Sequence, residues 1–367
     1  MAQLKNITGA LLIDATAAFL NGAGLGVGED KNKVVPKTFR EKVNDRLEEV
    51  PYVSAQSWRR WLRNTTNEEN NWIPSELHSI GTTKKGSTNK IATQLNPIDF
   101  PEDDIFGYMK SGKANKSGKE EDGEEGGEEE NGEEEKEDKK NKKEESIQRT
   151  SPFKSSILKG IRNMRCLNTD EAFVHLKEGS PLPYSTRFYS THLEGFFNLE
   201  YYRLGIFDNL GSHQELSIDL VKNKKDALRE ENLQEKFKRY TMINAEITRK
   251  ERATGLLKGL AYLRGGAKMA AFGSDVSPKV LILAGIESAN PIFNNIFVGK
   301  GEKPALNIAI IKELVNDYKE KLATPVYIGI RSGYLENESE IKGLQKEGFI
   351  VGTPIEIVDK FTNDYLK

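Results

Sequence analysis

A chain of 367 residues is long enough for two domains or for one elaborated domain with a large hydrophobic core. Its single cysteine, Cys166, excludes an intrachain disulfide framework and a zinc site built on a CxxC motif. No apolar run approaches the length of a membrane span, and the N-terminal segment lacks the basic leader of a signal peptide. We therefore expect a cytoplasmic protein with no membrane partner.

Charge is distributed unevenly along the chain. The formal net charge is −2, yet Lys113–Glu145 alone holds 8 lysines against 15 acidic residues, a net of −7. The remainder therefore carries +5. A mildly basic folded part permits a polyanionic partner such as nucleic acid without requiring one.

The N-terminal region predicts a buried strand followed by a glycine-rich loop. Leu4–Ile13 is apolar enough for a strand at the centre of a sheet, where burial on both faces removes the need for polar alternation. Asn21–Gly28 contains four glycines, but neither their spacing nor the following residues fit a dinucleotide-binding motif. This segment is either a flexible surface loop or a cradle for phosphate, and Lys37 lies just beyond it.

A helix with a basic face is predicted over 51–64, PYVSAQSWRRWLRN, with Ser54 or Ser57 as its N-cap. One face of this helix holds Trp58, Trp61 and Leu62. The roughly opposite face holds Arg59, Arg60 and Arg63. Because guanidinium groups suit phosphate oxygens, this face is either a phosphate contact or an ordinary solvated surface.

An acidic insertion interrupts the middle of the chain. After the turn-rich segment Trp72–Asp99, the sequence from about Ser111 to Ile147 consists mainly of Glu, Lys, Gly, Asp and Asn. Such a segment cannot bury enough apolar surface to offset the entropy lost on ordering. We expect a solvated insertion, and the alternative is an acidic mimic of RNA that competes for a basic groove.

The second half of the chain predicts the rest of an α+β fold. The predicted elements are two strands within Thr186–Phe207, a helix over Asn244–Arg264, a strand at Val280–Ala284, a helix over Ile308–Leu322 and a strand at Val326–Ile330. With the first strand and helix, the order is β-α-β-β-α-β, the ferredoxin-like arrangement of RNA-recognition domains. The last helix and strand extend that sheet. The expected units are an N-terminal part at 1–110, the insertion at 111–147 and the remainder at 148–367.

The candidate chemistry is binding and not catalysis. The four histidines lie in separate segments, and the chain has no HExxH, GxSxG or P-loop motif, so we expect no metal, no cofactor and no enzymatic activity. Asp14 either caps the segment after the first strand or assists RNA cleavage. Arg264–Lys268, RGGAK, is either a helix C-cap or a close backbone approach to another chain. Arg149–Lys154 is either a strand start or a phosphate contact.

Several segments, in a fixed order, resemble a known family. They are ITGALLIDATAAFLNGAG at 7–24, VPKTFREKVNDR at 35–46, PYVSAQSWRRWLRN at 51–64, DIFGYM at 104–109, RTSPFKSSIL at 149–158, NLEYYRLGIF at 198–207, LRGGAKMAAFGSDVSPKVLILA at 263–284 and NP at 290–291. Together they resemble the DevR-type, type I-B-like backbone subunit of the CRISPR effector complex Cascade, in the RAMP superfamily. The match leaves out the acidic insertion and the C-terminal part of the chain.

The resemblance implies an RNA-recognition-like palm with a large helical insertion and a projecting thumb. It implies that several copies polymerise along one guide RNA (crRNA), beside other Cascade subunits, and that the guide pairs with target DNA. The RNA contacts that it implies are Asn21, Lys37, Gln56, Arg59, Arg60, Arg63, Arg149, Lys154, Gly265, Gly266 and Lys268. The alternatives are a type III-like backbone subunit that cuts target RNA, with Asp14 as its candidate aspartate, and a free RNA-binding regulator.

Overall fold

The computed structural model describes residues 2–24, 32–43, 45–82, 89–110, 146–161, 166–174, 179, 182–300 and 303–366. Nearly all of the predicted acidic insertion and the second half of the predicted glycine-rich loop lie outside the described residues. In the described ranges, no helix is both long and apolar enough to cross a membrane.

Strands and helices are both abundant in the described ranges, which confirms the α+β class. The strands are β1 (Asn6–Ala18), β2 (Lys33–Val34), β3 (Thr38–Val43), β4 (Arg46–Val53), β5 (His78–Thr82), β6 (Asn89–Ala92), β7 (Tyr108–Lys110), β8 (Ile147–Arg149), β9 (Phe153–Ser155), β10 (Leu158–Ile161), β11 (Leu167–Val174), β12 (Leu182–Leu199), β13 (Ile206–Leu210), β14 (His213–Gln214), β15 (Leu228–Gln234), β16 (Phe237–Met242), β17 (Pro278–Ile286), β18 (Phe297–Lys300), β19 (Lys303–Leu306), β20 (Tyr327–Ile330) and β21 (Ile350–Gly352). The α-helices are α1 (Ala55–Asn70), α2 (Pro101–Phe106), α3 (Ile218–Asn223), α4 (Ala245–Ala261), α5 (Met269–Phe272), α6 (Ile308–Asp317), α7 (Glu338–Gly343) and α8 (Pro354–Tyr365).

The main sheet has β1 at its centre. Its strand order is β21-β20-β17-β1-β12-β10-β4-β3, and β1 is antiparallel to both of its neighbours, with Leu11 opposite Gly195 and Leu281. Residues from Asn6 to Ile13 are buried on both faces of the strand, which explains the missing polar alternation. On the far side of β17, β20 extends the sheet, as predicted for the C-terminal elements.

The prediction of two strands within Thr186–Phe207 is wrong. The described chain runs through Leu199 as the single strand β12, and Ile206–Leu210 belongs to another sheet. The strands that pair with β12 on the side away from β1 come earlier in sequence. Lys159 of β10 lies opposite Glu194, and Lys154 of β9 lies opposite Asn198. β12 continues unbroken because its backbone finds partners along both edges.

Helices α1 and α4 pack together over one face of the main sheet. Gly259 allows the close approach, because a Cβ atom there would lie 2.3 Å from Thr66 Oγ1. With α8 these helices enclose one core, whose members include Leu11, Ile13, Trp58, Leu62, Leu256, Leu260 and Phe361. The opposite face carries a second core under α6 and α7, whose members include Ala10, Leu12, Ile282, Phe293, Ile311 and Ile341.

A second sheet, with the order β15-β16-β13-β14-β8-β7, lies beside the main one. Its β7 and β8 are antiparallel, with Lys110 opposite Ile147. The two described ends that flank 111–145 are therefore held side by side.

Candidate nucleic-acid interface

The first turn of α1 is tied to the segment after β1. Ser54 caps the helix by accepting a hydrogen bond from Ser57 N–H at 3.4 Å, as one of the two predicted caps. The Ser54 N–H donates to Asn21 Oδ1 at 3.0 Å, and the Lys37 N–H donates to the Asn21 carbonyl at 2.8 Å. The structure thus brings Asn21 and Lys37 together, and the Asn21 amide supports the helix start.

The RGGAK segment packs against the same region. Gly265 has a φ of +144°, and a Cβ atom there would lie 2.4 Å from Trp61 Cγ. Gly266 has a φ of +127° and lies against Leu20, whose carbonyl accepts a hydrogen bond from Ala267 N–H at 2.9 Å. Both glycines are thus required by the packing of this chain itself. Lys268 is exposed and donates to Thr186 Oγ1 at 2.9 Å.

Arg59 is turned inward, which corrects the prediction that three arginines share one exposed face of α1. Its guanidinium donates to the Phe153 carbonyl at 2.6 Å, to Ser151 Oγ at 2.8 Å and to the Phe106 carbonyl at 3.3 Å. Burial, followed by repulsion from the charge of Arg63, lowers the pKa of Arg59. This side chain holds α1 to the end of α2, to the turn before β9 and to β9 itself.

Arg63 is also largely buried, with 13% of its side chain exposed. It lies 3.6 Å from Glu102 and 3.8 Å from Asp103, and its guanidinium lies over the Phe106 ring at 5.4 Å. Its Nε has no hydrogen-bond partner among the described residues. Burial lowers its pKa most, the two carboxylates oppose this, and the charge of Arg60 adds to the lowering. The two carboxylates therefore compensate the positive charge of Arg63 only in part.

Arg60 alone of the three helix arginines is exposed. No described carboxylate lies within ion-pair distance of it. With Gln56, which is also exposed, it forms the rim of an open pocket of about 240 Å³. The pocket is lined by Gln56, Arg59, Arg60, Arg63, Phe106 and Gly107. We call this the arginine pocket.

The structure corrects the prediction that Arg149 contacts RNA, because the Arg149 side chain is fully buried, with 0% exposure. It pairs with Asp104 and, at 2.7 Å, with Glu215, and its guanidinium lies 4.5 Å from the centre of the Phe207 ring. Asp104 also pairs with the buried Arg252. A guanidinium without exposed surface cannot reach a phosphate, and Arg149 instead joins the second sheet to α2.

Lys154 keeps half of its side chain exposed, at 51%, but it is paired with Glu200 at 2.5 Å. The preceding residue, Phe153, packs edge-on against Trp58 beneath α1. Because side chains alternate along a strand, Lys154 points to the opposite face of β9. Lys154 therefore lies on the other side of the sheet from the arginine pocket.

Phe106 and Gly107 are pocket residues that were not predicted. Gly107 has a φ of +70°, and a Cβ atom there would lie 2.3 Å from the Arg149 carbonyl. The available signal was the glycine after an aromatic residue in DIFGYM, which marks a tight turn.

Asp14 lies opposite His192 in the β1–β12 register and accepts a hydrogen bond from Thr16 Oγ1 at 2.7 Å. His192 Nδ1 is 2.7 Å from the Tyr334 hydroxyl. Burial lowers the pKa of His192, and the Asp14 charge opposes this shift. Among the described residues, no group of three or more His, Cys, Asp or Glu is placed to hold a metal ion.

No protein-family model matches this chain, and no curated protein matches it. Among solved structures, it is similar to a chain of a CRISPR RNA-guided surveillance complex, with 10% identity, 98% of each chain covered and a TM-score of 0.48. A chain of a Type IV-B CRISPR complex has 9% identity over 82% of this chain and 96% of that one, with a TM-score of 0.36. Thermofilum pendens Csc2 has 12% identity over 87% of this chain and 78% of its own, with a TM-score of 0.35.

Proposed function

We propose that this protein is a guide-RNA-binding backbone subunit of a type I CRISPR effector complex, of the DevR type and the type I-B subgroup. Several copies bind side by side along one crRNA, in contact with each other and with other subunits of the complex. The guide is then held for pairing with complementary DNA. The protein itself reads the RNA backbone and leaves sequence recognition to base pairing.

A ferredoxin-like palm is part of the proposal, and the main sheet supports it. The four strands β17-β1-β12-β10 are antiparallel neighbours. In sequence, α1 lies between β1 and β10, and α4 lies between β12 and β17, with both helices over one face. This is the order and layering of a split β-α-β pair.

The arginine pocket carries the proposal. Two exposed donors, Gln56 and Arg60, stand over the two inward guanidinium groups of Arg59 and Arg63. Burial lowers the pKa of both groups; repulsion from Arg63 adds to this at Arg59, and repulsion from Arg60 adds to it at Arg63, where Glu102 and Asp103 oppose the shift. An anion in the pocket would relieve this repulsion and would accept hydrogen bonds from the rim. A phosphodiester of single-stranded RNA has that charge and those acceptors, and it leaves the neighbouring bases free to pair.

The proposed role includes no strand cleavage. Asp14 is engaged by Thr16, and the neighbouring His192 is held by Tyr334, so both groups have interactions of their own within the fold. Incubation of the complex with complementary RNA and magnesium tests this directly. Cleavage that is abolished by Asp14→Ala would establish the catalytic alternative.

Stepwise assembly on RNA tests the backbone role. We expect native mass spectrometry on RNAs of increasing length to give a ladder of masses. Each step should add one protein, independently of the RNA sequence.

Arg60→Ala should weaken binding and reduce the slope of log affinity against log salt by about one unit, because one phosphate contact is lost. Lys312→Ala is the matched control, since this exposed lysine of α6 lies on the opposite face of the sheet and is paired with Glu347.

Two results would contradict the proposal. One is a single protein per RNA at every length, which would instead indicate a free RNA-binding regulator. The other is an Arg60→Ala variant that assembles with the same affinity and the same salt slope as the Lys312→Ala control.

A further inference from the structure

Three phenylalanine rings form a continuous cluster beside the RGGAK segment. The ring of Phe272 lies 6.4 Å from that of Phe19 in a stacked geometry, with 21° between the planes. The ring of Phe272 also lies 5.7 Å from the ring of Phe188. Phe19 is buried at 3% exposure, whereas Phe188 and Phe272 are half-buried. The cluster therefore has a buried end and an end that reaches the surface.

Small residues leave the surface end of this cluster open. Phe272 is the last residue of α5, and the nearby Ala270, Ala271 and Gly273 are all exposed. A Cβ atom placed on Gly273 would meet no atom of the described residues within 4 Å. No large side chain from these adjoining positions can cover the ring of Phe272.

A lysine lies over the cluster. Lys268 Nζ is 5.4 Å from the centre of the Phe19 ring and is fixed by its hydrogen bond to Thr186. Lys268 itself is exposed, and no described carboxylate is within ion-pair distance of it. The aromatic surface is thus bordered by a positive charge that no acidic side chain of the described ranges neutralises.

The cluster and the arginine pocket adjoin the same half of α1. The Ala267–Leu20 hydrogen bond joins the RGGAK segment to the chain just before Asn21, which holds the helix start at Ser54. Gly265 packs on Trp61, one residue after Arg60. An extended strand bound at the pocket can therefore continue across the start of α1 toward the phenylalanine cluster.

We propose that Phe272 and Phe188 form a stacking platform for one unpaired base of the bound RNA, and that Lys268 contacts an adjacent phosphate. The platform rests on the proposed function, since the strand it serves is the RNA held at the arginine pocket. Aromatic rings stack on any base, because every base presents a π-face. A lysine with no acidic partner among the described residues favours a polyanionic strand over a neutral protein segment. The platform thus binds one base without selecting its identity.

The test uses the full chain and single-stranded RNA that carries 2-aminopurine at one position at a time. In the parent protein, stacking should quench the fluorescence at defined positions. Phe272→Leu keeps an apolar side chain in the cluster but removes the ring. It should abolish the quenching and weaken binding about 5- to 100-fold, while the salt slope stays unchanged because stacking releases no counterions. Lys268→Ala should instead lower the salt slope by about one unit.

Controls separate stacking from a structural effect. Phe19→Leu alters the same cluster from its buried end, and it should retain quenching at the same positions. If Phe19→Leu loses quenching and affinity as fully as Phe272→Leu, or if Phe272→Leu behaves as the parent, the platform is refuted and the proposed function stands. If the parent does not bind single-stranded RNA, both proposals are refuted.

Should Phe272→Leu misfold, photocrosslinking of 5-iodouridine RNA to the parent protein decides the question. Adducts on Phe272 or Phe188 support the platform, and adducts only elsewhere refute it.

Discussion

At the scale of single residues, the arginines of this protein differ in what surrounds them. Arg59 and Arg149 donate to backbone carbonyls inside the protein, and Arg149 also pairs with buried carboxylates. Arg60, on the same helix as Arg59, faces solvent. Helical periodicity predicts which residues lie on the same face of α1. It does not predict that α2 covers part of the face that carries the arginines. The acidic run Glu102–Asp104 was the available signal for buried arginine partners.

Replacement of Arg149 by leucine should destabilise the fold strongly. It leaves Asp104 and Glu215 in a buried site with fewer compensating charges, and the free energy of unfolding should fall by about 3–5 kcal/mol. Urea denaturation measures this loss. Lys238→Ala, which breaks an exposed pair with Glu230 in the same sheet, is the control and should leave the unfolding midpoint unchanged. A loss below about 1 kcal/mol for Arg149→Leu would mean that the neighbouring Arg252 and Arg203 replace its charge.

At the scale of elements, periodic helices and continuously apolar strands were predictable, and short strands of mixed polarity were not. The predicted positions of β1, α1, α4, β17 and β20 agree with the structure to within several residues at their ends. By contrast, β9 and β10 span three and four residues, too few to show a period of two. Their pairing with β12 is decided by the tertiary structure, which is why the middle strands were assigned wrongly.

The connection between α4 and β17 depends on a glycine that only the packing explains. In Gly265→Ala the new methyl group would collide with the Trp61 ring at a φ of +144°, so we expect a loss of about 1–3 kcal/mol of stability. Gly343→Ala is the control, because that residue has a helical φ of −62° and open space around it. The control should be neutral or stabilising by up to about 1 kcal/mol. Thermal or urea unfolding of both variants distinguishes them, and equal stabilities would contradict the packing role.

At the scale of the whole molecule, the acidic insertion should be separable from folding and from RNA binding. The described ends that flank it are already paired through β7 and β8, so a short connection can join them. We expect that replacing Lys113–Glu145 by a short Gly/Ser linker leaves the melting temperature and guide binding unchanged. A Gly/Ser segment of the original length separates the effect of charge from that of length. Higher RNA affinity at low salt in both variants would support the RNA-mimic alternative, and a large drop in melting temperature would exclude a solvated insertion.

The central position of β1 also constrains the order in which the protein can fold during synthesis. This strand is synthesised before both of its partners, because β1 ends at Ala18 whereas β12 and β17 begin at Leu182 and Pro278. At about 5–20 residues per second, the nascent β1 waits on the order of 10 to 30 s before its first partner is made. During that interval its apolar side chains and both of its backbone edges are unpaired. We therefore expect β1 to be open to wrong pairing until the ribosome has made the middle of the chain.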